Sequence, residues 1–239
     1  MIVTIDGPAG AGKSTVARLL AQTLSEQSGK TFEYLDTGSM YRAVALLGLR
    51  RHVDWNIASQ LKILAENASI TVNNGKTLLN SEDVTELVRS PDVTEKTRFA
   101  ADNPAIRLIM VDLQRSIAQQ LLQCGKGLVT EGRDQGTAVF PDAPIKFFLT
   151  ATPEERAKRR YKELQQSGKQ GNLNEILLRI TERDLRDTSR TVGPLREPNN
   201  ALRIVSNNMT IENVVHQMLN ECKEILNKLC STLENNPPP

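Results

Sequence analysis

The chain has little of what marks a redox, metal, membrane or nucleic-acid-binding protein. Cys124, Cys222 and Cys230 are three, widely spaced and without a CxxC pair, so reduced structural thiols are expected rather than a disulfide framework or a thiolate metal site. The two histidines, His52 and His216, have no Cys or His partner at ligand spacing. Aromatic residues make up only 4% of the chain, too few for the interleaved stacking platforms of a single-strand nucleic-acid binder. The longest apolar run is about seven residues, Ala43 to Leu49 with Gly48 counted, where a membrane span needs about 20. An excess of one charge is also missing: 30 basic residues against 28 acidic ones leave a net charge of +2. The start, MIVTIDG, has no basic n-region or apolar h-region and carries an acid at position 6, so no leader peptide and a cytoplasmic location are expected. Neither a nucleic acid nor a membrane is an expected partner.

What is present is an ordinary globular composition, 39% hydrophobic over 239 residues, enough for a sizeable core with insertions. Short β-branched or apolar runs at 2–6, 32–36, 127–131, 145–150 and 202–206 predict five strands. Helices are predicted at 13–26, where Val16, Leu19, Leu20 and Leu24 share one face, and at 40–49, 153–167 and 211–229, with a short one after 127–131. Strand and helix alternate, which predicts an α/β fold around a central parallel sheet. Two stretches break the rhythm. Asn74-Gly75 between apolar segments predicts a hairpin inside an insert at about 60–103, and 153–196 is a charged, Arg-rich appendage. The predicted parts are a core at 1–59, 104–152 and 197–233, the two insertions between them, and a disordered tail at 234–239.

The residues Gly7, Pro8, Ala9, Gly10, Ala11, Gly12, Lys13 and Ser14 match G-x-x-x-x-G-K-[ST], after a strand and before an apolar-faced helix. In such a loop the backbone N–H groups curl around phosphate oxygens and the helix N-terminus adds partial positive charge. Lys13 supplies formal charge for the β- and γ-phosphates, and Ser14 offers a hydroxyl to Mg²⁺. A nucleoside triphosphate is therefore an expected ligand, with Thr15 beside it.

No N/T-K-x-D guanine-reading motif is present, which sets aside a GTPase. A motor ATPase is set aside because Arg133 and Asp134 follow at once on the strand ending in Glu131. Arginines instead stand just past the strands, where open α/β sheets bind ligands: Arg42 after the second strand and Arg133 after the third. Arg179, Arg183, Arg186 and Arg190 are spaced 4, 3 and 4, which puts them within about 60° of one another on a helix. Like charges so aligned destabilise a helix by a few tenths of a kcal/mol per pair, and an anion-facing comb accounts for them. Arg156, Lys158, Arg159 and Arg160 form a second basic cluster in the same appendage. A flap of this kind neutralises a transferring phosphate and excludes water. No nucleophile–base set accompanies it. A phosphate acceptor needs none, because its attacking oxygen is already an anion; Asp36 and Asp134 then read as orienting or metal-water residues.

These segments resemble the bacterial type of cytidylate kinase, a nucleoside monophosphate kinase, through nearly the whole chain. The resemblance rests on IDGPAGAGKST, YLDTGSMYRAVA, LNSEDVTELVRSPDV, EGRDQGTAVFPDAPIKFFLTA, EERAKRR and RDLRDTSRTVGPL. It implies a P-loop NTPase fold in which 60–103 is a monophosphate-binding insert and 153–196 a lid. It implies MgATP as donor, CMP or dCMP as acceptor, and a monomer. By the same resemblance, Arg42, Arg133 and Arg190 hold the acceptor phosphate near Asp36 and Thr37. Tyr41, Arg183 and Asp187 contact the sugar, and Arg107 and Asp134 read the cytosine. Arg159 and Arg186 sit on the donor side, and Lys13, Arg133, Arg159, Arg183 and Arg190 form the catalytic set. The chain departs from the family at Arg98, where a serine usually touches the base, with Thr97 next to it. It departs again in EPNNALRIVSNN, where asparagines and a serine replace the usual acids.

The rival expectations are a kinase for UMP or dTMP, kept open by Arg98, and an ATP-bound regulatory protein that hydrolyses slowly. The second predicts a phosphate loop without acceptor-side arginines.

Overall fold

The computed structural model describes the backbone of residues 1–73 and 75–235 and the side chains of 1–73 and 75–225. Asn74 of the expected turn and most of the expected tail lie outside the described residues. In chain order the elements are β1 (Ile2–Asp6), α1 (Lys13–Ser28), β2 (Phe32–Asp36), α2 (Thr37–Arg50), α3 (Ala58–Glu66), β3 (Ile70–Asn73), β4 (Lys76–Leu79) and β5 (Glu82–Asp83). They continue with α4 (Pro91–Ala101), α5 (Pro104–Gln123), β6 (Gly127–Gly132), a π-helical turn at Gln135–Val139, β7 (Ile145–Thr150), α6 (Pro153–Gln166), α7 (Leu173–Ser189), β8 (Leu202–Val205) and α8 (Ile211–Asn235).

All five predicted strands form, in one parallel sheet of order β2-β6-β1-β7-β8. Burial on both faces explains their apolar composition. Leu35, Met40, Met110 and Leu128 belong to the core on the α2, α4 and α5 side, and Val3, Leu20, Phe147 and Met218 to the core on the α1 and α8 side. The register sets Asp6 level with Gly132 and Asp36 level with Glu131. The carboxyl ends of β1, β2 and β6 thus form one rim, at the point where the chain switches sides of the sheet.

Local chemistry starts the helices at this rim. Asp36 caps α2 by accepting the Ser39 N–H at 3.0 Å, so the helix begins at Thr37 rather than at the predicted Met40. Thr152 caps α6 ahead of Pro153 at its first turn. The stretch 60–103 holds the expected hairpin, β3 with β4, extended by β5 into a three-stranded antiparallel sheet. It is more helical than predicted, with α3 and α4 beside that sheet. α5, which follows, was not predicted either. Ser90-Pro91 and Asn103-Pro104 are the cap-and-proline pairs that start α4 and α5.

Phe147 is fully buried on β7, between β1 and β8. Phe147→Ala is expected to cost about 3–5 kcal/mol. Urea unfolding checks this, and a loss below about 1 kcal/mol would show that the core collapses around the deletion.

Candidate active site

One cleft of about 800 Å³ opens at the rim and brings together nearly all of the predicted site residues. At one end is the phosphate loop. Gly7 is packed so closely that a Cβ would run into the Leu149 carbonyl, which fixes its identity. Ala9 to Thr15 line the cleft. Lys13 Nζ is buried and donates to the Pro8 carbonyl at 2.8 Å. Burial, with the charges of Arg133 and Arg183, brings its pKa down to about 7. Ser14 Oγ donates to Glu131 Oε1 at 2.6 Å. Burial and the Glu131 charge push the neighbouring Asp36 carboxyl up to about 6. A hydroxyl and two carboxylates therefore meet at the loop. These are hard oxygen donors, and they fit Mg²⁺ that draws its remaining ligands from phosphate and water.

The second strand end is tied to the first by Asp6. Its two oxygens accept the N–H groups of Gln135 (2.8 Å) and Gly136 (2.7 Å), and burial lifts its pKa to about 7. These bonds hold the turn that carries Arg133 and Asp134.

Arg133 then reaches α7. Its Nε donates to Asp187 Oδ2 at 2.7 Å, while Arg190 Nη2 donates to Asp187 Oδ1 at 2.6 Å. Burial would raise the Asp187 pKa, but Arg133, Arg190 and Arg183 around it hold it below the usual carboxylate value. Burial and Arg133 in turn depress Arg183 to about 10. Arg42 lines the same cleft, and burial lowers its pKa. In the same cleft, beside Tyr41, Arg107 and Asp134 form a buried ion pair. Arg107 lies over the Tyr41 ring at 5.4 Å and donates to the Ala101 carbonyl at 3.0 Å. Gly193 closes over this pair, where a Cβ would strike both partners.

The basic clusters divide. Arg183 and Arg190 line the cleft, whereas Arg179 and Arg186 are exposed and do not. Helical phase gives the reason. The cleft side of α7 is centred near Asp187, so Arg186 falls to one edge, and Arg179 lies a turn beyond the cleft. Arg190 sits just past the helix with extended backbone rather than on it. In the second cluster Lys158 and Arg160 are exposed, and only Arg159 lines the cleft; it donates to Ser206 Oγ at 3.1 Å and to the Ser206 carbonyl at 2.5 Å. The serine thus sits where the chain lacks the usual acids.

Several residues in or beside the cleft had no individual role of this kind in the sequence reading. Arg156 is buried and joins the phosphate loop to α7, donating to the Ala9 carbonyl at 2.9 Å and to Asp184 at 2.6 Å. Arg89 faces Asp36 at 3.3 Å. Glu131 had been considered only as a motor-type acid. Asp102 accepts from Arg190 Nε at 2.6 Å. On α4 it is Thr97 that lines the cleft, while Arg98 turns to a separate groove and lies on the Phe99 ring at 4.8 Å.

The cytidylate kinase family model matches residues 3–224. The chain belongs to the cytidylate kinase family. It is 46% identical over 222 residues to the cytidylate kinase of Pelotomaculum thermopropionicum, covering 91% of this chain and 93% of that one. It is 42% identical over 224 residues to the cytidylate kinase of Rhodopirellula baltica, covering 94% and 93%. For a chain of the cytidylate kinase family, the cleft has the two parts the chemistry needs, a phosphate loop and a charged pair.

A lysine at pKa about 7 regains its proton when phosphate oxygens surround it. Binding of ADP at pH 8 is therefore expected to take up about one proton, and affinity to fall by up to tenfold per unit as pH rises above 7. Calorimetry in buffers of different ionisation heat reads this directly. Zero uptake would mean that Lys13 is already charged without nucleotide.

Proposed function

We propose that the chain transfers the γ-phosphoryl group of ATP to CMP or dCMP, giving CDP or dCDP and ADP. One observation carries the choice of acceptor: the buried Arg107–Asp134 pair in the cleft, beside Tyr41. The Asp134 carboxylate accepts from the exocyclic N4 amine of cytosine, and Arg107 donates to the ring acceptors beside it. Uracil has a carbonyl where cytosine has that amine. Two acceptors would then face each other in a desolvated site, a mismatch that binding sites reject strongly. The Thr97 hydroxyl stands on the same wall, and Arg98, the feature that favoured another pyrimidine, is turned out of it.

Arg42, Arg133 and Arg190 hold the acceptor phosphate, and Tyr41, Arg183 and Asp187 meet the sugar. Lys13 and the backbone N–H groups of residues 9–15 hold the donor phosphates. The attacking oxygen is an anion already, so no residue has to remove a proton. Lys13, Arg133 and Arg183 neutralise charge on the transferring group in a site that α6 and α7 shield from water. Ser14, Glu131 and Asp36 would hold Mg²⁺. When bound, the ion neutralises charge on the donor phosphates. Arg159 borders the donor nucleotide. Arg186 reaches it only if α7 moves.

A coupled ADP-release assay with MgATP tests the reading. CMP and dCMP are expected to exceed UMP by at least about a hundredfold in kcat/KM. Equal turnover of UMP would overturn the role of Asp134, and no turnover of any monophosphate would overturn the activity. Arg183→Ala is expected to lower kcat by about 10²–10³-fold with the thermal midpoint little changed. Unaltered turnover in that variant would remove Arg183 from the transferring-group contacts.

A further inference from the structure

We propose that Asp102 is a positioning residue for recognition of the acceptor phosphate. It fixes the Arg190 guanidinium across the cleft so that its free edge meets the incoming anion. The proposal rests on the reading that Arg190 binds that phosphate.

Arg190 follows the last residue of α7, with φ −57° and ψ 141°, so the helical ladder does not set its direction. Its side chain is anchored instead. Nε donates to Asp102 Oδ1 and Nη2 to Asp187 Oδ1, each at 2.6 Å. Nη1 makes no hydrogen bond among the described residues, so the fork is clamped on one side and open on the other. Arg133 repeats the pattern. Its Nε is held by Asp187, Nη1 bonds the Gly132 carbonyl, and Nη2 makes no hydrogen bond among the described residues. Two guanidiniums with carboxylate-held Nε groups offer fixed donors to one phosphate. Holding them in advance removes the cost of ordering them at binding.

Charge gives a second reason. Asp187 sits among Arg133, Arg183 and Arg190. It already divides its two oxygens between Arg133 and Arg190. Asp102 takes the Nε edge of Arg190 from the solvent side, leaving Asp187 to share its oxygens between Arg133 and Arg190.

Position gives a third. Asp102 is the C-cap of α4, one residue past Ala101, whose carbonyl takes Arg107 Nη1. One turn thus holds both the arginine that meets the base and the arginine that meets the phosphate. Asp102 is itself 41% exposed, and an exposed ion pair adds little to stability. Its effect belongs to binding and not to folding.

The test is steady-state kinetics against CMP at saturating MgATP for Asp102→Asn, Arg190→Ala and the double variant. Asp102→Asn is expected to raise the KM for CMP about five- to tenfold, with kcat and the KM for ATP within about twofold and an unchanged thermal midpoint. In the Arg190→Ala background the same change is expected to have no further effect. An unchanged KM in Asp102→Asn overturns the proposal. So does a lowered KM, which would make Asp102 a competitor of the phosphate, and so does an equal penalty in both backgrounds. If Arg190→Ala raises the KM and Asp102→Asn does not, the role of Asp102 alone fails. If Arg190→Ala leaves the KM unchanged, the reading of Arg190 fails first.

Discussion

Asp187 is a buried carboxylate set among Arg133, Arg183 and Arg190, and the rest of the site is arranged around that concentration of positive charge. Guanidinium groups cannot shed their protons to relieve burial, so each needs an anion or a cost remains. Asp187 and Asp102 supply part of it, and the cleft keeps a net positive lining that suits an anionic ligand. Burial, together with the neighbouring arginine charges, brings Lys13 down to about 7 and Arg183 to about 10.

Much of this was legible from the residues, and the limits were physical. The five strands were readable because each is a short apolar run closed by an acid, a glycine or a polar turn. The phosphate loop was readable because its spacing is dictated by backbone geometry. The Asn74-Gly75 signal led to a β reading of the whole insert, although Ser90-Pro91 and Asn103-Pro104 were present as helix starts. The arginine comb shows a different limit. Periodicity gives the angles among Arg179, Arg183, Arg186 and Arg190 but not where the cleft lies on the helix, and the cleft is centred on Asp187. Arg156 is a third case. A buried arginine and a solvated one look alike in a basic run, and only the Ala9 carbonyl beneath it tells them apart.

The Thr97 and Arg98 pair shows how one residue of helical phase alters the reading of a site. Counting along the chain put Arg98 at the expected base position, whereas the α4 face turns Thr97 to the cleft and sends Arg98 to the Phe99 ring. A long cation near a buried ion pair would upset its balance. Turned away, it leaves Arg107 and Asp134 as a matched pair, with Gly193 closing over them.

Asp6 has a consequence of another kind. Its two bonds to the N–H groups of Gln135 and Gly136 join the strand that leads into the phosphate loop to the turn that carries Arg133. The spacing between the phosphate loop and the Arg133 turn is thus set beneath the cleft, by a buried carboxylate that is not part of its lining. Any ligand that bridges the two loops meets a span that the sheet has already fixed.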